Sequence, residues 1–75
     1  MSDRIVECVP NFSEGRDVEI INAISNAARG IDGASVLGIE PDSDYNRTVL
    51  TIAGEPEAVL EAAFRVIEAA LKFID

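Results

Sequence analysis

Residues 7–17, Glu-Cys-Val-Pro-Asn-Phe-Ser-Glu-Gly-Arg-Asp, put an amide, a hydroxyl and a glycine where an apolar strand gives way to a helix. At such a joint the free N–H groups of the helix favour an anion such as a carboxylate, and a side-chain amide can hold a substrate. The same residues have a purely structural use. Asn11 and Ser13 can hydrogen-bond the turn's backbone, Gly15 permits a positive φ, and Phe12 can plug the core. Arg47 is a second candidate, because a guanidinium can grip a carboxylate with two parallel hydrogen bonds. An ion pair with the Asp42/Asp44 loop is its alternative. Cys8 lies mid-strand with no histidine or basic group adjoining it, so it reads as a small core residue rather than a nucleophile. Tyr45 reads as a loop or groove residue without chemistry of its own. With no histidine, one cysteine and scattered carboxylates, no metal site is expected.

The elements that would position these residues are legible. Residues 4–9 are rich in β-branched side chains and stop at Pro10, which predicts a first strand. Asp17 is a good N-cap and Glu19 suits the first turn of a helix. Ile20, Ile21, Ile24, Ala27 and Ala28 recur at helical spacing, and Gly30 ends the run. Residues 34–39 and 47–53 predict two further strands around a turn at 41–45. On the latter strand Thr48, Leu50 and Ile52 share one face, and Val49, Thr51 and Ala53 the other. Pro56 opens a second helix that runs to about residue 74, with Glu61–Arg65 and Glu68–Lys72 as i,i+4 pairs.

The expected fold is therefore α+β, in the order β-α-β-β-α. This is a ferredoxin-like plait lacking its last strand, with two helices on one face of an antiparallel sheet. Residues 1–75 form a single small domain, near the lower size limit for an independent core. The absent strand would lie beside the first one, leaving that edge open to pairing. The second helix points the same way. Its polar residues occupy roughly a quarter of the circumference, while Val59, Ala63, Ile67, Ala70 and Ile74 form the line expected to face the sheet. Apolar flanks extend on both sides of that line. Either a homo-oligomer or the missing remainder of the domain is expected to cover them.

Composition narrows the partners. A net charge of −8, from fourteen acidic and six basic residues, repels a phosphate backbone, so nucleic acid is not expected. No basic amphipathic helix addresses a membrane surface, and no apolar run is long enough to span one. The opening Met-Ser-Asp-Arg lacks a signal-peptide pattern, and a single cysteine suits a reducing cytosol.

The stretches "VECVPNFSEGRDVEIINAI", "DYNRTVLTIAGEPEAVLEAAF" and the closing "KFID" resemble the formiminotransferase family. The match is to the first part of the N-terminal subdomain of glutamate formimidoyltransferase and formiminotransferase-cyclodeaminase. It implies transfer of a formimino group from formiminoglutamate to tetrahydrofolate, in histidine breakdown, with tetrahydrofolate as co-substrate. It further implies an active-site asparagine at Asn11 and a carboxylate at Glu40, where many members carry the shorter aspartate. The family's catalytic histidine belongs to a stretch beyond residue 75, so no catalytic residue is expected in this chain. Asn11, Glu40 and Arg47 are the expected substrate- and folate-binding residues.

The chemistry agrees with that division. Moving a formimino carbon between amines passes through a tetrahedral centre with positive charge developing on nitrogen. A carboxylate stabilises that charge, an amide holds the substrate, and a group titrating near neutrality moves protons. Glu40 and Asn11 can fill the first two roles, and no residue here recommends itself for the third. Two other readings remain open. One is a free-standing, non-catalytic module of the same fold that binds a small ligand or assembles with others. The second is an unrelated ferredoxin-like regulatory domain.

Overall fold

A computed structural model describes residues 4–74. Its elements in chain order are β1 (Val6–Cys8), β2 (Asn11–Phe12), α1 (Val18–Asn26), β3 (Ala34–Asp42), β4 (Arg47–Gly54) and α2 (Pro56–Phe73). Every strand pairs with β4, and every pairing is antiparallel. β1 and β2 lie along one side of β4 and β3 along the other, so β4 is the centre of the sheet. The fold is α+β, consistent with the expected ferredoxin-like plait.

The expected first strand comes as two pieces. Pro10 has no N–H to give the ladder, yet its carbonyl accepts from Leu50 N at 3.0 Å. The register carries through the break: Cys8 stands opposite Ile52, and Asn11 opposite Val49. β3 runs further than expected, through Glu40, Pro41 and Asp42. It is an edge strand, which is where a proline is tolerated. The turn is consequently displaced to residues 43–46, where Asp42 Oδ1 accepts from Asp44 N (3.0 Å) and Tyr45 N (3.3 Å). A register shift between Val36 and Gly38 leaves Leu37 as an extra, exposed residue on this edge.

α1 begins as its sequence predicts. Asp17 Oδ1 accepts from Glu19 N (3.0 Å) and Ile20 N (3.2 Å), satisfying two N–H groups the helix itself cannot. Its last turn tightens into i→i−3 bonds from Ala27, Ala28 and Arg29, and Gly30 follows at φ 79°. In α2 the Glu61–Arg65 pair forms at 3.3 Å. The Glu68–Lys72 pair does not; the Lys72 ammonium instead lies 5.7 Å from the Phe73 ring centroid.

Both helices pack on the face of β4 that carries Thr48, Leu50 and Ile52, all fully buried. Ile21 and Ile24 come from α1, Ala28 from the turn that follows it, Val59, Ala62 and Val66 from α2, and Phe12 from β2. The inward line of α2 keeps Val59, Ala70 and Ile74 of the expected one but departs from it at Ile67. Ile67 is 56% exposed, whereas Val66 is 2% exposed. The helix must cover α1 as well as the sheet, and contact with α1 rolls its packed face toward Ala62 and Val66. The opposite flank, Leu60, Phe64, Ile67 and Leu71, is left uncovered.

This roll separates two adjacent residues. In urea unfolding, Val66→Ala is expected to cost about 2 kcal/mol, the loss of two buried methyl-sized groups plus a cavity. Ile67→Ala, by contrast, should stay within about 0.5 kcal/mol of the parent. Equal losses at the two positions would put Ile67 back in the core.

Candidate functional site

The joint between β2 and α1 is built by residues other than those expected to build it. Glu14 Oε2 accepts from Arg16 N (3.1 Å) and Asp17 N (3.0 Å), and Glu14 N donates to Phe12 O (2.9 Å). With the Asp17 cap, the chain's own carboxylates take the N–H groups of Arg16, Asp17, Glu19 and Ile20 around the start of α1. A substrate anion at that helix end, one of the uses expected for the joint, would have to displace them. Among the described residues neither Asn11 nor Ser13 makes a side-chain hydrogen bond, and both are exposed. The turn-building role expected of them is thus performed by Glu14 and Asp17.

The loop is also fastened to the β3–β4 hairpin. Gly15 N donates to Asn46 Oδ1 at 3.0 Å, Arg16 Nε donates to Ser43 O at 2.8 Å, and Thr48 Oγ1 donates to Glu14 O. Gly15 is buried against hairpin backbone. A Cβ there would stand 2.6 Å from Arg47 N and 2.7 Å from Arg47 O, closer than atoms can approach. Close approach, rather than a positive φ, is what requires glycine. This interlock was missed in the sequence because "SEG" and "NRT" each make sense alone as turn residues. Their joint appearance was the only signal.

On the sheet, Asn11 and Glu40 stand opposite the same residue, Val49, from its two sides. Residues directly paired across strands share a face. Val49 alternates with the buried Thr48 and Leu50, so that face is the one turned away from the helices. Two strand spacings separate the Cα atoms of Asn11 and Glu40 by about 10 Å. Arg47, two residues along β4 from Val49, is on the same face.

Glu40 and Arg47, together with Pro41, Asp42, Ser43 and Val49, line a hollow of about 440 Å³. Asn11 does not line that hollow. It borders a second groove of about 380 Å³ at the sheet edge, between Pro10–Ser13 and the C-terminal half of α2. The ion pair proposed for Arg47 with Asp42 or Asp44 is not made. Asp42 is bonded to the turn, and the Arg47 guanidinium lies 5.8 Å from the Tyr45 ring centroid. Cys8 is half-buried and packs against the core opposite Ile52, as a small apolar residue would. One face therefore carries an amide, a carboxylate and a guanidinium, a set suited to a ligand with acid and amine or amidine groups. Among the described residues no three His, Cys, Asp or Glu side chains group as a metal site, and no helix is long and apolar enough to cross a membrane.

Residues 5–75 match the model of the formiminotransferase domain, N-terminal subdomain. The chain belongs to this family. It is 47% identical over 73 residues to a formimidoyltransferase-cyclodeaminase of Dictyostelium discoideum, covering 97% of this chain and 14% of the relative. The corresponding protein of Sus scrofa is 46% identical over 72 residues, covering 96% and 13%. A glutamate formimidoyltransferase of Thermoplasma acidophilum is 44% identical over 71 residues, covering 95% and 23%. The chain thus spans less than a quarter of the length of these relatives.

Two glycine substitutions test the interlock. Gly15→Ala forces the loop off the hairpin and is expected to destabilise the chain by more than about 2 kcal/mol. Gly38→Ala, where an added Cβ meets nothing within 4 Å, is expected to be neutral or slightly stabilising. Denaturant midpoints with unchanged slopes would measure both. A tolerated Gly15→Ala would show that loop and hairpin are not locked together.

Proposed function

We propose that this chain supplies one wall of the site at which a formimino group passes from formiminoglutamate to tetrahydrofolate. The observation that carries the reading is the state of Asn11. Its side chain is exposed and makes no hydrogen bond, at the start of β2 beside a loop whose Glu14 and Asp17 carboxylates are committed to backbone. An amide not used by the turn is available to a ligand. Glu40, across Val49 from it, offers a carboxylate to the charge developing on nitrogen, and Arg47 offers two parallel donors to a carboxylate of substrate or folate. Glu40 reaches one methylene further than an aspartate, so the group it meets stands further from the sheet. Support comes from the relatives' names, which include glutamate formimidoyltransferase.

The sequence contains no histidine. Proton transfer near neutral pH therefore falls to a residue outside these 75, and the reaction as proposed needs no metal. Tetrahydrofolate acts as co-substrate, in the cytosol. The free edge of β1 and the uncovered flank of α2 are where the remainder of the enzyme, or a second copy, would seat.

The 75-residue chain alone is expected to show no formimino transfer. Turnover proportional to its concentration would sink the division of labour. In the full-length enzyme carrying this stretch, Asn11→Ala should lower kcat/KM at least tenfold, equivalent to about 1.4 kcal/mol. Unchanged kinetics would return Asn11 to an accessory place on the surface. Light scattering of the isolated chain at micromolar concentration is expected to report self-association, because Leu60, Phe64 and Leu71 are each at least 66% exposed. A concentration-independent monomer of 8.0 kDa would mean that this flank tolerates water.

A further inference from the structure

The hairpin turn presents a residue whose identity the turn does not explain. Asn46 has φ 51°, in the left-handed region, where glycine is accommodated without strain and asparagine is tolerated. The backbone alone would be served as well by glycine. What asparagine adds is Oδ1, and that oxygen accepts the N–H of Gly15, 31 residues away. The two ends of this bond lie on the two segments that carry the ligand-binding side chains. Gly15 follows Asn11 by one short loop, and Asn46 directly precedes Arg47 on the hairpin whose other arm carries Glu40.

We propose that Asn46 is a positioning residue: its hydrogen bond to Gly15 holds the Asn11 loop and the Glu40/Arg47 hairpin in one register and so fixes the spacing of the binding face. The inference rests on the functional reading given above. The neighbouring links do not share this role equally. Thr48 is fully buried and belongs to the core, while the Arg16–Ser43 bond is exposed to competing water. Asn46 is half-buried, near enough to the site to act on it and far enough from the core to be changed without unfolding the chain.

The test uses the full-length enzyme carrying this stretch, with formiminoglutamate and tetrahydrofolate as substrates. Asn46→Gly keeps the left-handed backbone and removes only the acceptor. It is expected to raise KM for formiminoglutamate at least fivefold, with kcat within twofold and an unfolding temperature close to the parent's. Asn46→Asp retains an oxygen at the same place and should recover KM to within twofold. If Asn46 acts through Asn11, the double variant Asn46→Gly/Asn11→Ala should be no worse than Asn11→Ala alone, whereas independent effects would multiply. Parent-like KM in Asn46→Gly overturns the proposal, as do multiplying losses or a variant that fails to fold. Failure of the functional reading looks different: Asn11→Ala would then keep parent kinetics, whatever Asn46→Gly does.

Discussion

Everything in this fold hangs on β4 being bonded along both sides. A strand so placed can offer only alternate residues to each face, and its sequence obeys that constraint. Thr48, Leu50 and Ile52 go inward under two helices, and Arg47, Val49 and Thr51 go outward. Because Val49 has a neighbour on each side, β4 also acts as the ruler for the outer face. It sets Asn11 and Glu40 in one row although 28 intervening residues fold into a helix and most of a strand between them. The chemistry of the outer face is thus placed by the packing of the inner one.

The loop–hairpin interlock adds what strand pairing alone cannot. Backbone ladders fix positions along a strand, but β2 is only Asn11–Phe12, too short to hold its own register. Three side-chain bonds and the close seat of Gly15 take over immediately beyond it. The charged residues here have dual value. Glu14 and Asp17 serve the backbone N–H groups of Arg16, Asp17, Glu19 and Ile20, and the Asn11 side chain takes no part.

Much of this was legible in the sequence, and the remainder was not for definite reasons. Hydrophobic period located both helices and the strands, Asp17 and Pro56 marked the helix starts, and alternation sorted the faces of β4. The facing of α2 was misread because periodicity gives the angular width of an apolar arc but not which part a neighbouring helix will claim. The length of β3 was misread because Pro41 signals a turn locally, and only its place on an edge strand makes it compatible with the sheet. Asn11, Glu40 and Arg47 could be named from their types and from resemblance. Their shared face depends on a register that includes the bulge at Leu37, and the partition between hollow and edge groove on side-chain packing, neither of which a pattern records. The interlock joins residues 27 to 34 apart and leaves no trace in any local window.

The open edge bears directly on how the proposed site would work. Asn11 stands on the flank of the sheet that has no further strand among the described residues, and the groove beside it is lined on one wall by the apolar end of α2. An unpaired edge and an apolar wall side by side form a seat for another strand with its own apolar face. Any strand seated there, from the rest of the enzyme or from a second copy, would leave the outer face uncovered, because the seat lies at its margin. It would instead extend that face past Asn11 and turn an edge residue into a central one, flanked by β4 on one side and the newcomer on the other. The new strand's outward residues would then stand one strand spacing from the Asn11 amide, about 5 Å. That is the distance from which a proton-transfer group, absent from these 75 residues, could reach a substrate held there. Structural completion and catalytic completion would accordingly be one event at the same open edge.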